Sequence, residues 1–524
     1  MAHTLPLQDM TLIIIDFIYK ELRALNVNKS TGLDDIPARF LKDGAFYIKE
    51  PIMAIVNTSI TTGTVPDDFK MARVKPLFKK GNSLDVGNYR PVSILCIVSK
   101  ILEKCVHVQL LKFLNDNHLL YSYQSGFRNK FSTDTCLIHM LDFIRSNNSK
   151  GLFTGMVMLD LQKAFDTVDH TILCDKLSVL GVLSTEWFKS YLSCRQQQVY
   201  VNNISSDFNS INCGVPQGSI LGPLLFLIYV NDMSVSVDDD CKLILYADDS
   251  AIFYAHRDPN VISQKLGSVL EKCSSWLVDN RLSLHLGKTE SMLFGPPRKL
   301  KNVTDFKIVC NGLVIKGVDS VKYLGICIDK FLTCENIVLS IIQKVNARLK
   351  FLYRNATCLN TQTRKTLCSA LIQCYFDYAC SSWYCGINKQ LKHKLQVTQN
   401  KIVRFILNLG PRESISCNVL DSLNMLNVED RATQLRLNHV YNIYHGKAPS
   451  YLCDHFVLNN NITRSATNKH FHIPKIRGKE SSNFYYNAIK DWNALPLKIK
   501  EVDSKQTFKK AVKSFLATNA RNTL

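Results

Sequence analysis

Several features that would point to common protein classes are missing from this chain of 524 residues. Its longest apolar run, Leu224 to Val230, is far too short to span a bilayer, as are shorter runs such as Leu12 to Ile15. The first residues, MAHTLPLQDM, lack the basic start and apolar core of a secretory signal. Only 22 glycines and 15 prolines occur, so a long low-complexity tract is excluded. The composition, 46% hydrophobic and 21% charged, indicates a chain that folds throughout into roughly two to four domains.

The cysteines also lack the patterns that would give them a structural role. The chain contains 18 of them, without CxxC pairs or the histidine partners of a zinc site. The nearest approach to a cluster is Cys380 and Cys385, which are separated by SSWY. A disulfide scaffold is not expected at this length, so we expect free and mostly buried thiols in an intracellular chain.

Acidic residues are scarce relative to basic ones. Against 64 Lys and Arg there are 44 Asp and Glu, which gives a formal net charge of +20. Such an excess attracts polyanions, and without a membrane-length segment the sequence favours nucleic acid over lipid as the partner.

Two acids nevertheless stand side by side within an apolar run, LILYADDSAIF, residues Leu243 to Phe253. One interpretation is a β-hairpin with an acidic tip, because aspartate is a common turn residue. The other is a metal site, since adjacent carboxylates repel each other unless a cation lies between them. Asp248 and Asp249 are therefore candidate metal ligands.

A third acid occurs far away in the sequence, in VMLDLQKAFDTVDH, residues Val157 to His170. This stretch begins as a strand and is predicted to turn helical just after Asp160, because apolar residues then recur at helical spacing. Asp160 would end the strand, at a sheet edge where functional side chains collect. Carboxylates brought together from two strands suit Mg²⁺, which prefers oxygen ligands. Asp166 and Asp169 are interpreted as structural acids at the start of the helix.

LDLQKAFDTVDH and YADD together resemble the two catalytic motifs of reverse transcriptases, in particular those of non-LTR retrotransposons of the LINE, jockey or CR1 type. Other segments resemble blocks of the same family and occur in its order: NKSTGLDDIPARFLK (28–42), FKMARVKPLFKKGN (69–82), NYRPVSILCIVSKILEK (88–104), YQSGFRNKFSTDT (123–135), CGVPQGSILGPLLF (213–226), RLSLHLGKTE (281–290) and VKYLGI (321–326).

This resemblance implies an RNA-directed DNA polymerase that transfers a nucleotide from a dNTP to the 3′-hydroxyl of a primer. Asp160, Asp248 and Asp249 would bind two Mg²⁺ ions, with Mn²⁺ as a substitute. Phe165 would be the steric gate that excludes ribonucleotides. Gln217 and Gly218 would lie against the incoming nucleotide and the template.

Two basic residues acquire roles from the same resemblance. Lys288 matches a lysine near the phosphates of the nucleotide, which can protonate the departing pyrophosphate. Arg90, in a cluster with Arg73, Lys75, Lys79 and Lys80, is the candidate for a triphosphate contact. VKYLGI resembles a primer-grip hairpin, with Val321, Tyr323, Leu324 and Ile326 beside a glycine.

The expected fold is α+β, a right-hand polymerase whose palm is a four-stranded sheet backed by helices. We expect an amino-terminal template-binding extension (1–65), fingers and palm (66–330), a helical thumb (331–460) and a basic carboxyl-terminal segment (461–524). The thumb helices are predicted in IVLSIIQKVNARLKFLYR and LKHKLQVTQNKIVRFILNL, which show apolar residues at helical spacing. The last segment mixes Lys475, Arg477 and Lys479 with aromatic residues suited to base stacking, and its Trp492 is expected in the core.

The partners implied are an RNA template, a DNA primer and dNTPs, with no membrane. Complete members of the family carry an endonuclease ahead of the polymerase, and we expect a separate endonuclease activity to supply the nick here, from a truncated copy or a gene model that starts internally. An intracellular location, nucleus and cytoplasm, follows from priming on chromosomal DNA. The alternative is a decayed or domesticated copy that binds nucleic acid without polymerising.

Overall fold

The computed structural model describes residues 9–459, 468–475 and 482–522. Helices and strands are mixed along the chain, so the predicted α+β class is confirmed. Backbone contacts divide the chain into two compact units. The first unit comprises residues 1–127, 160–238 and 269–286, and the second comprises 128–159, 239–268 and 287–524. The four consecutive segments predicted from the sequence remain a prediction.

The strands, in chain order, are β1 (Met71–Phe78), β2 (Tyr89–Ile94), β3 (Phe153–Leu159), β4 (Arg195–Val201), β5 (Ile204–Ser205), β6 (Asn209–Ile211), β7 (Lys242–Tyr246), β8 (Asp249–His256), β9 (Glu290–Phe294), β10 (Val309–Cys310), β11 (Leu313–Val314), β12 (Lys316–Gly317), β13 (Ser320–Tyr323) and β14 (Ile326–Asp329).

The helices are α1 (Ile15–Arg23), α2 (Ala38–Asp43), α3 (Ala45–Thr62), α4 (Ile97–Asp116), α5 (Thr133–Ser149), α6 (His170–Val179), α7 (Thr185–Leu192), α8 (Gly222–Tyr229), α9 (Pro259–Asp279), α10 (Pro297–Leu300), α11 (Glu335–Arg354), α12 (Thr361–Leu371), α13 (Gln373–Asp377), α14 (Cys380–Trp383), α15 (Lys389–Leu407), α16 (Cys417–Ser422), α17 (Val428–Tyr444), α18 (Ser450–Cys453), α19 (Phe484–Asn493), α20 (Leu497–Lys500) and α21 (Lys505–Asn522). None of the described helices combines the length and the apolar character needed to cross a bilayer.

The first unit contains a sheet of strand order β2-β1-β4-β5, with β6 also paired to β4. Strands β1 and β2 are antiparallel, whereas β1 and β4 are parallel. Helix α8 belongs to the same unit, and its residues from Leu224 to Tyr229 are all buried. A helix with apolar residues on every side can only be stable inside a core. This helix begins shortly after the glycine-rich GVPQG, residues 214–218.

The second unit is built on a sheet of strand order β12-β9-β3-β8-β7. Strand β3 lies between β8 and β9 and is antiparallel to both. All but one of its seven residues are buried, as expected of a central strand covered on both faces. Four strands were predicted; the structure adds β12, a two-residue strand at the edge.

The two helices predicted for the thumb are present, as α11 and α15, and their assignment to a thumb stays a prediction. Helix α11 buries one stripe of apolar side chains: Ile337, Val338, Ile341, Val345, Leu349 and Leu352. The basic residues Lys344, Arg348 and Lys350 lie on its exposed side. This division explains why the helical period was visible in the sequence.

The predicted helix after Asp160 is wrong in its starting point. Helix α6 begins at His170, and residues 160–169 form turns and one isolated bridge, Leu161 with Leu284. The apolar side chains of residues 160–169 are spaced as in a helix, but they contact residues remote in sequence: Leu161 bridges Leu284, and Phe165 stacks on Phe226. Tertiary contacts therefore override the local pattern here.

The carboxyl-terminal segment is mainly a packing element where it is described. Phe484 and Trp492 are fully buried, which confirms the prediction for Trp492. Phe484 is one of the aromatic residues that the sequence suggested for base stacking, and its burial contradicts that role. Tyr485 stacks on His455 with the ring centroids 3.9 Å apart. Lys475 is exposed, and Arg477 and Lys479 lie outside the described residues.

All 18 cysteines carry free thiols. Nine are buried, five are partly buried and four are exposed, so burial is less general than the sequence predicted. Cys380 and Cys385 both belong to the second unit, where burial raises the pKa of each thiol.

Candidate active site

Asp248 and Asp249 lie at the tip of the hairpin formed by β7 and β8. Tyr246 pairs with Asp249 across the hairpin, which leaves Ala247 and Asp248 as the turn. Ala247 has a φ of 57°, in the left-handed region that tight turns between strands require. Both carboxylates are exposed, while Leu245 and Ala251 behind them are buried. The predicted hairpin with an acidic tip is therefore present.

Asp160 directly follows β3, as predicted. The last pair of the ladder between β3 and β8 joins Leu159 to Ser250. After the strand the backbone is held by two hydrogen bonds, from His285 N to Asp160 O at 2.9 Å and from Gln162 N to Ser283 O at 3.0 Å. These bonds fix the chain where the Asp160 side chain, which is partly buried, leaves the backbone.

The chemistry of these three side chains suits Mg²⁺, because they offer only carboxylate oxygens. Asp160 belongs to the first compact unit, and Asp248 and Asp249 belong to the second. In the part of the chain that is described, no group of three or more His, Cys, Asp or Glu side chains is assembled as a metal site. The convergence of the three acids therefore stays a prediction.

Phe165 lies in the irregular segment before α6, not in a helix. Its ring stacks on Phe226 of α8, with centroids 4.1 Å apart and an angle of 22° between the planes. Phe127 meets the same ring edge-on at 6.1 Å. The Phe165 side chain is partly buried by these contacts. The ring of Phe165 is thus held in one orientation by its two aromatic neighbours, as a steric gate would require.

Gln217 and Gly218 form a tight loop held against β2. Ser93 N donates to Gln217 O at 2.7 Å. Gly218 has a φ of 120°, and a Cβ placed there would lie 2.5 Å from Ser93 O. Only glycine can adopt this backbone conformation at this distance from the neighbouring strand. The glycine is therefore required by the loop itself, whatever the loop binds.

Asp166 contacts this loop directly, which the sequence did not predict. Gln217 Nε2 donates to Asp166 Oδ1 at 2.8 Å. Burial raises the pKa of the Asp166 carboxyl, and the hydrogen bond from Gln217 and the charge of Lys163 partly oppose that rise. The interpretation of Asp166 as a helix-start acid is wrong, because α6 begins four residues later.

Asp169 does have the structural role predicted for it. It is the N-cap of α6, and its carboxylate accepts hydrogen bonds from the backbone N–H groups of Thr171 and Ile172, both at 3.0 Å. It also forms an ion pair with Arg281. Such a cap satisfies N–H groups that the first turn of a helix leaves free.

Glu103 supports the loop that contains Gln217 and Gly218, and its role was not predicted from the sequence. This residue of α4 is buried, and it accepts hydrogen bonds from Tyr191 Oη at 2.9 Å and from Ile220 N at 2.5 Å. Burial raises the pKa of Glu103, while these two donors oppose the rise. An acid on the apolar face of α4, three residues before Val106, was the available signal.

The basic candidates are exposed. Arg90 lies in β2 opposite Leu77, and its side chain is exposed together with those of Lys75, Lys79 and Lys80. Arg73 differs from them, because it pairs with Asp35 at 3.4 Å. Lys288 is exposed in the turn before β9. The roles of Arg90 and Lys288 at a nucleotide stay predictions.

VKYLGI forms a hairpin, as its resemblance to a primer grip implies. Strands β13 and β14 pair from Ser320 with Asp329 to Tyr323 with Ile326. The turn residues Leu324 and Gly325 both have positive φ, 42° and 84°. Tyr378 Oη donates to Leu324 O at 2.6 Å and so ties the turn to the helical region that follows.

Comparison with known proteins identifies the region that contains these residues. Residues 78–328 match the family model described as "Reverse transcriptase (RNA-dependent DNA polymerase)". The chain is 25% identical to the "Probable RNA-directed DNA polymerase from transposon X-element" of Drosophila melanogaster, over 72% of this chain and 42% of that protein. It is 28% identical to the "Probable RNA-directed DNA polymerase from transposon BS" of the same species, over 75% of this chain and 44% of that protein.

A further relative is the "RNA-directed DNA polymerase from mobile element jockey" of Drosophila funebris, 26% identical over 77% of this chain and 44% of that protein. The chain spans less than half the length of these curated relatives. Their names agree with the jockey-type resemblance seen in the motifs. Residues 78–328 therefore carry a reverse transcriptase domain, and the predicted resemblance to non-LTR retrotransposon reverse transcriptases is confirmed.

Proposed function

We propose that the chain is an RNA-directed DNA polymerase that joins dNTPs to the 3′-hydroxyl of a primer on an RNA template. The observation that carries the proposal is the register of β3 and β8, together with the exposed acidic turn before β8. Leu159 pairs with Ser250 as the last pair of the ladder; Asp160 directly follows Leu159 in the sequence, and Asp249 directly precedes Ser250.

Asp160, Asp248 and Asp249 would hold the two divalent ions, Mg²⁺ or Mn²⁺. Ions bound there supply activation of the primer hydroxyl and neutralisation of the triphosphate. The chain itself contributes rigidity: β3, β7 and β8 are flanked by buried residues, so the carboxylates leave a fixed backbone. The exposure of Asp248 and Asp249 suits ligands that must admit water and phosphate oxygens.

The remaining predicted residues would orient the nucleotide. Phe165, held on Phe226, would stand beneath the sugar and exclude a 2′-hydroxyl. Gln217 and Gly218 would contact the nucleotide and the template. Arg90 would contact the triphosphate, and Lys288, which is exposed, would deliver a proton to the departing pyrophosphate.

In this proposal the chain has the right-hand architecture. The sheet of the second unit is the palm sheet, the sheet containing β1 and β2 belongs to the fingers, and α11 and α15 belong to the thumb. The net charge of +20 supports binding of the template and primer through their phosphates. We place the protein in the nucleus and cytoplasm, with a separate endonuclease activity supplying the nick.

Primer extension tests the proposal. The protein, an RNA template, a DNA primer, dNTPs and Mg²⁺ should give extended DNA, and Asp160→Ala or Asp248→Ala should abolish the product. Asp239→Ala is a matched control, since Asp239 is an exposed acid of the same region outside the motif. Nucleic-acid binding without extension by the unmutated protein would contradict the proposal and identify the chain as a non-catalytic copy.

A further inference from the structure

The side chain of Gln217 is held in one orientation by a carboxylate. Gln217 Nε2 lies 2.8 Å from Asp166 Oδ1. An ionised carboxylate can only accept hydrogen bonds, whereas a glutamine amide carries donors on nitrogen and an acceptor on oxygen. The chemistry of the pair thus requires the NH₂ group to face Asp166. The amide oxygen must then point away from Asp166.

Asp166 is itself held firmly. Its backbone N–H donates to Lys163 O at 2.7 Å, and Cys213 Sγ donates to its carbonyl oxygen at 3.4 Å. Gly214 approaches so closely that a Cβ placed on it would lie 2.6 Å from Asp166 O. The carboxylate therefore extends from a backbone that has little room to move.

The two loops are also joined on either side of this pair. Gly214 N donates to Val168 O at 2.7 Å, and Val215 N donates to Phe165 O at 2.8 Å. These bonds join the backbone around Phe165 to the glycine-rich loop. A shift of either loop would therefore change the position of Gln217 relative to the ring that is proposed as the steric gate.

The oxygen of the Gln217 amide remains available. Within the described residues no hydrogen bond is made to Gln217 Oε1, and the side chain is only partly buried. We propose that Asp166 is a positioning residue, which fixes Gln217 so that it presents a hydrogen-bond acceptor to the incoming nucleotide. This inference rests on the proposed function, in which Gln217 contacts the nucleotide.

Asp166 would act only through Gln217, and a double-mutant cycle measures such dependence. Asp166→Ala and Gln217→Ala should each raise the KM for dNTP by roughly tenfold, because each variant removes the hydrogen bond between Gln217 and the charged Asp166 carboxylate. Asp166→Ala should cause no further rise in the Gln217→Ala background. Asp166→Asn, which retains an oxygen acceptor, should recover part of the loss.

Asp175→Ala is the matched control, since Asp175 is an exposed acid on α6. It should leave the KM unchanged. Independent, multiplying effects of Asp166→Ala and Gln217→Ala would overturn the positioning role, even if the unmutated protein polymerises normally. A purely structural role of Asp166 would produce that multiplying result, because the damage would not depend on Gln217.

A second measurement does not need catalysis. In protein labelled with ¹⁵N at glutamine side chains, the Gln217 signal is identified by its loss in Gln217→Ala. One of its amide protons should resonate downfield because it is bonded to a carboxylate, and should move to the position of a solvated glutamine in Asp166→Ala but not in Asp175→Ala. An unchanged Gln217 signal in Asp166→Ala would overturn the inference, whether or not primer extension occurs.

Discussion

Leu159 and Ser250 face each other as the last pair between β3 and β8. The next residue after Leu159 is Asp160, and the residue before Ser250 is Asp249. Two segments separated by about ninety residues of sequence are thus paired as antiparallel strands up to the residues next to these acids. The proposal that these acids bind the same ions rests on this pairing.

The ring of Phe165 gives a prediction about sugar selection. Phe165→Val would remove an aromatic wall that lies 4.1 Å from Phe226 and would leave space for a 2′-hydroxyl. Incorporation of ribonucleotides relative to deoxynucleotides should rise by roughly tenfold or more, measured by extension with each rNTP. Phe226→Leu, which alters the supporting ring, should change this ratio less. An unchanged ratio in Phe165→Val would show that another side chain forms the gate.

Gly218 gives a prediction about the loop. In Gly218→Ala the new Cβ would meet Ser93 O at 2.5 Å and the backbone would keep a φ of 120° that alanine avoids. The loop must shift, so extension activity should fall by roughly a hundredfold while the rest of the fold persists. Gly317→Ala is the control, because a Cβ there meets nothing within 4 Å. Equal activity of the two variants would argue against a functional role of the loop.

Asp142 gives a prediction about the carboxyl-terminal helices. This buried residue of α5 accepts hydrogen bonds from Phe484 N at 3.0 Å and Tyr485 N at 3.1 Å, at the start of α19. It also pairs with Arg145 at 3.3 Å. Asp142→Ala would leave the buried Arg145 charge without this partner, so urea unfolding should show a loss of about 3 to 5 kcal/mol.

Asp142→Asn separates charge from hydrogen bonding in the same test. It keeps an oxygen acceptor for the helix N-terminus, so its loss of unfolding free energy should be smaller than that of Asp142→Ala. If both variants unfolded like the unmutated protein, α19 would not depend on this contact.

His139 gives a prediction about pH. Burial, helped by the nearby charge of Lys242, lowers the pKa of His139 to about 3. Lys242 Nζ lies 3.2 Å from His139 Nε2, which accepts a hydrogen bond only when the ring is neutral. Between pH 7 and pH 5 His139 becomes protonated in the unfolded chain but stays neutral in the folded chain, so the free energy of unfolding falls as the pH falls.

The His139→Gln variant isolates this contribution, because it lacks the titrating ring. The excess unfolding free energy of the unmutated protein over the variant should shrink by about 2 kcal/mol between pH 7 and pH 5. Urea denaturation at the two pH values measures the difference. A constant difference would mean that His139 takes up a proton as easily in the folded chain as in the unfolded one.

Local patterns in the sequence predicted the elements whose own residues determine them. The apolar runs on either side of Asp248 and Asp249 form the two strands of a hairpin, with the turn between them. Helix α11 buries apolar residues that recur at helical spacing. The loop from 160 to 169 was misread because Leu161, Phe165 and Val168 have helical spacing. Leu161 bridges Leu284 and Phe165 stacks on Phe226, contacts with partners remote in sequence.

The hydrogen-bond partners of Asp166 and Glu103 could not be predicted from the sequence, for the same reason. Asp166 is defined by its bond to Gln217, fifty-one positions away, and Glu103 by its bond to Ile220, one hundred and seventeen positions away. Neither pairing follows from composition or periodicity. The motif acids themselves were found because a short pattern and a family resemblance pointed to them.

The central claim is that Asp160, Asp248 and Asp249 bind the same divalent ions, and metal-directed cleavage tests it most directly. Fe²⁺ bound in place of Mg²⁺, with ascorbate and peroxide, cuts the backbone near the ion. We predict cuts close to residue 160 and close to residue 248, both suppressed by excess Mg²⁺ and both lost in Asp248→Asn. Cleavage near only one segment, or cuts near Asp160 that persist in Asp248→Asn, would contradict a shared metal site.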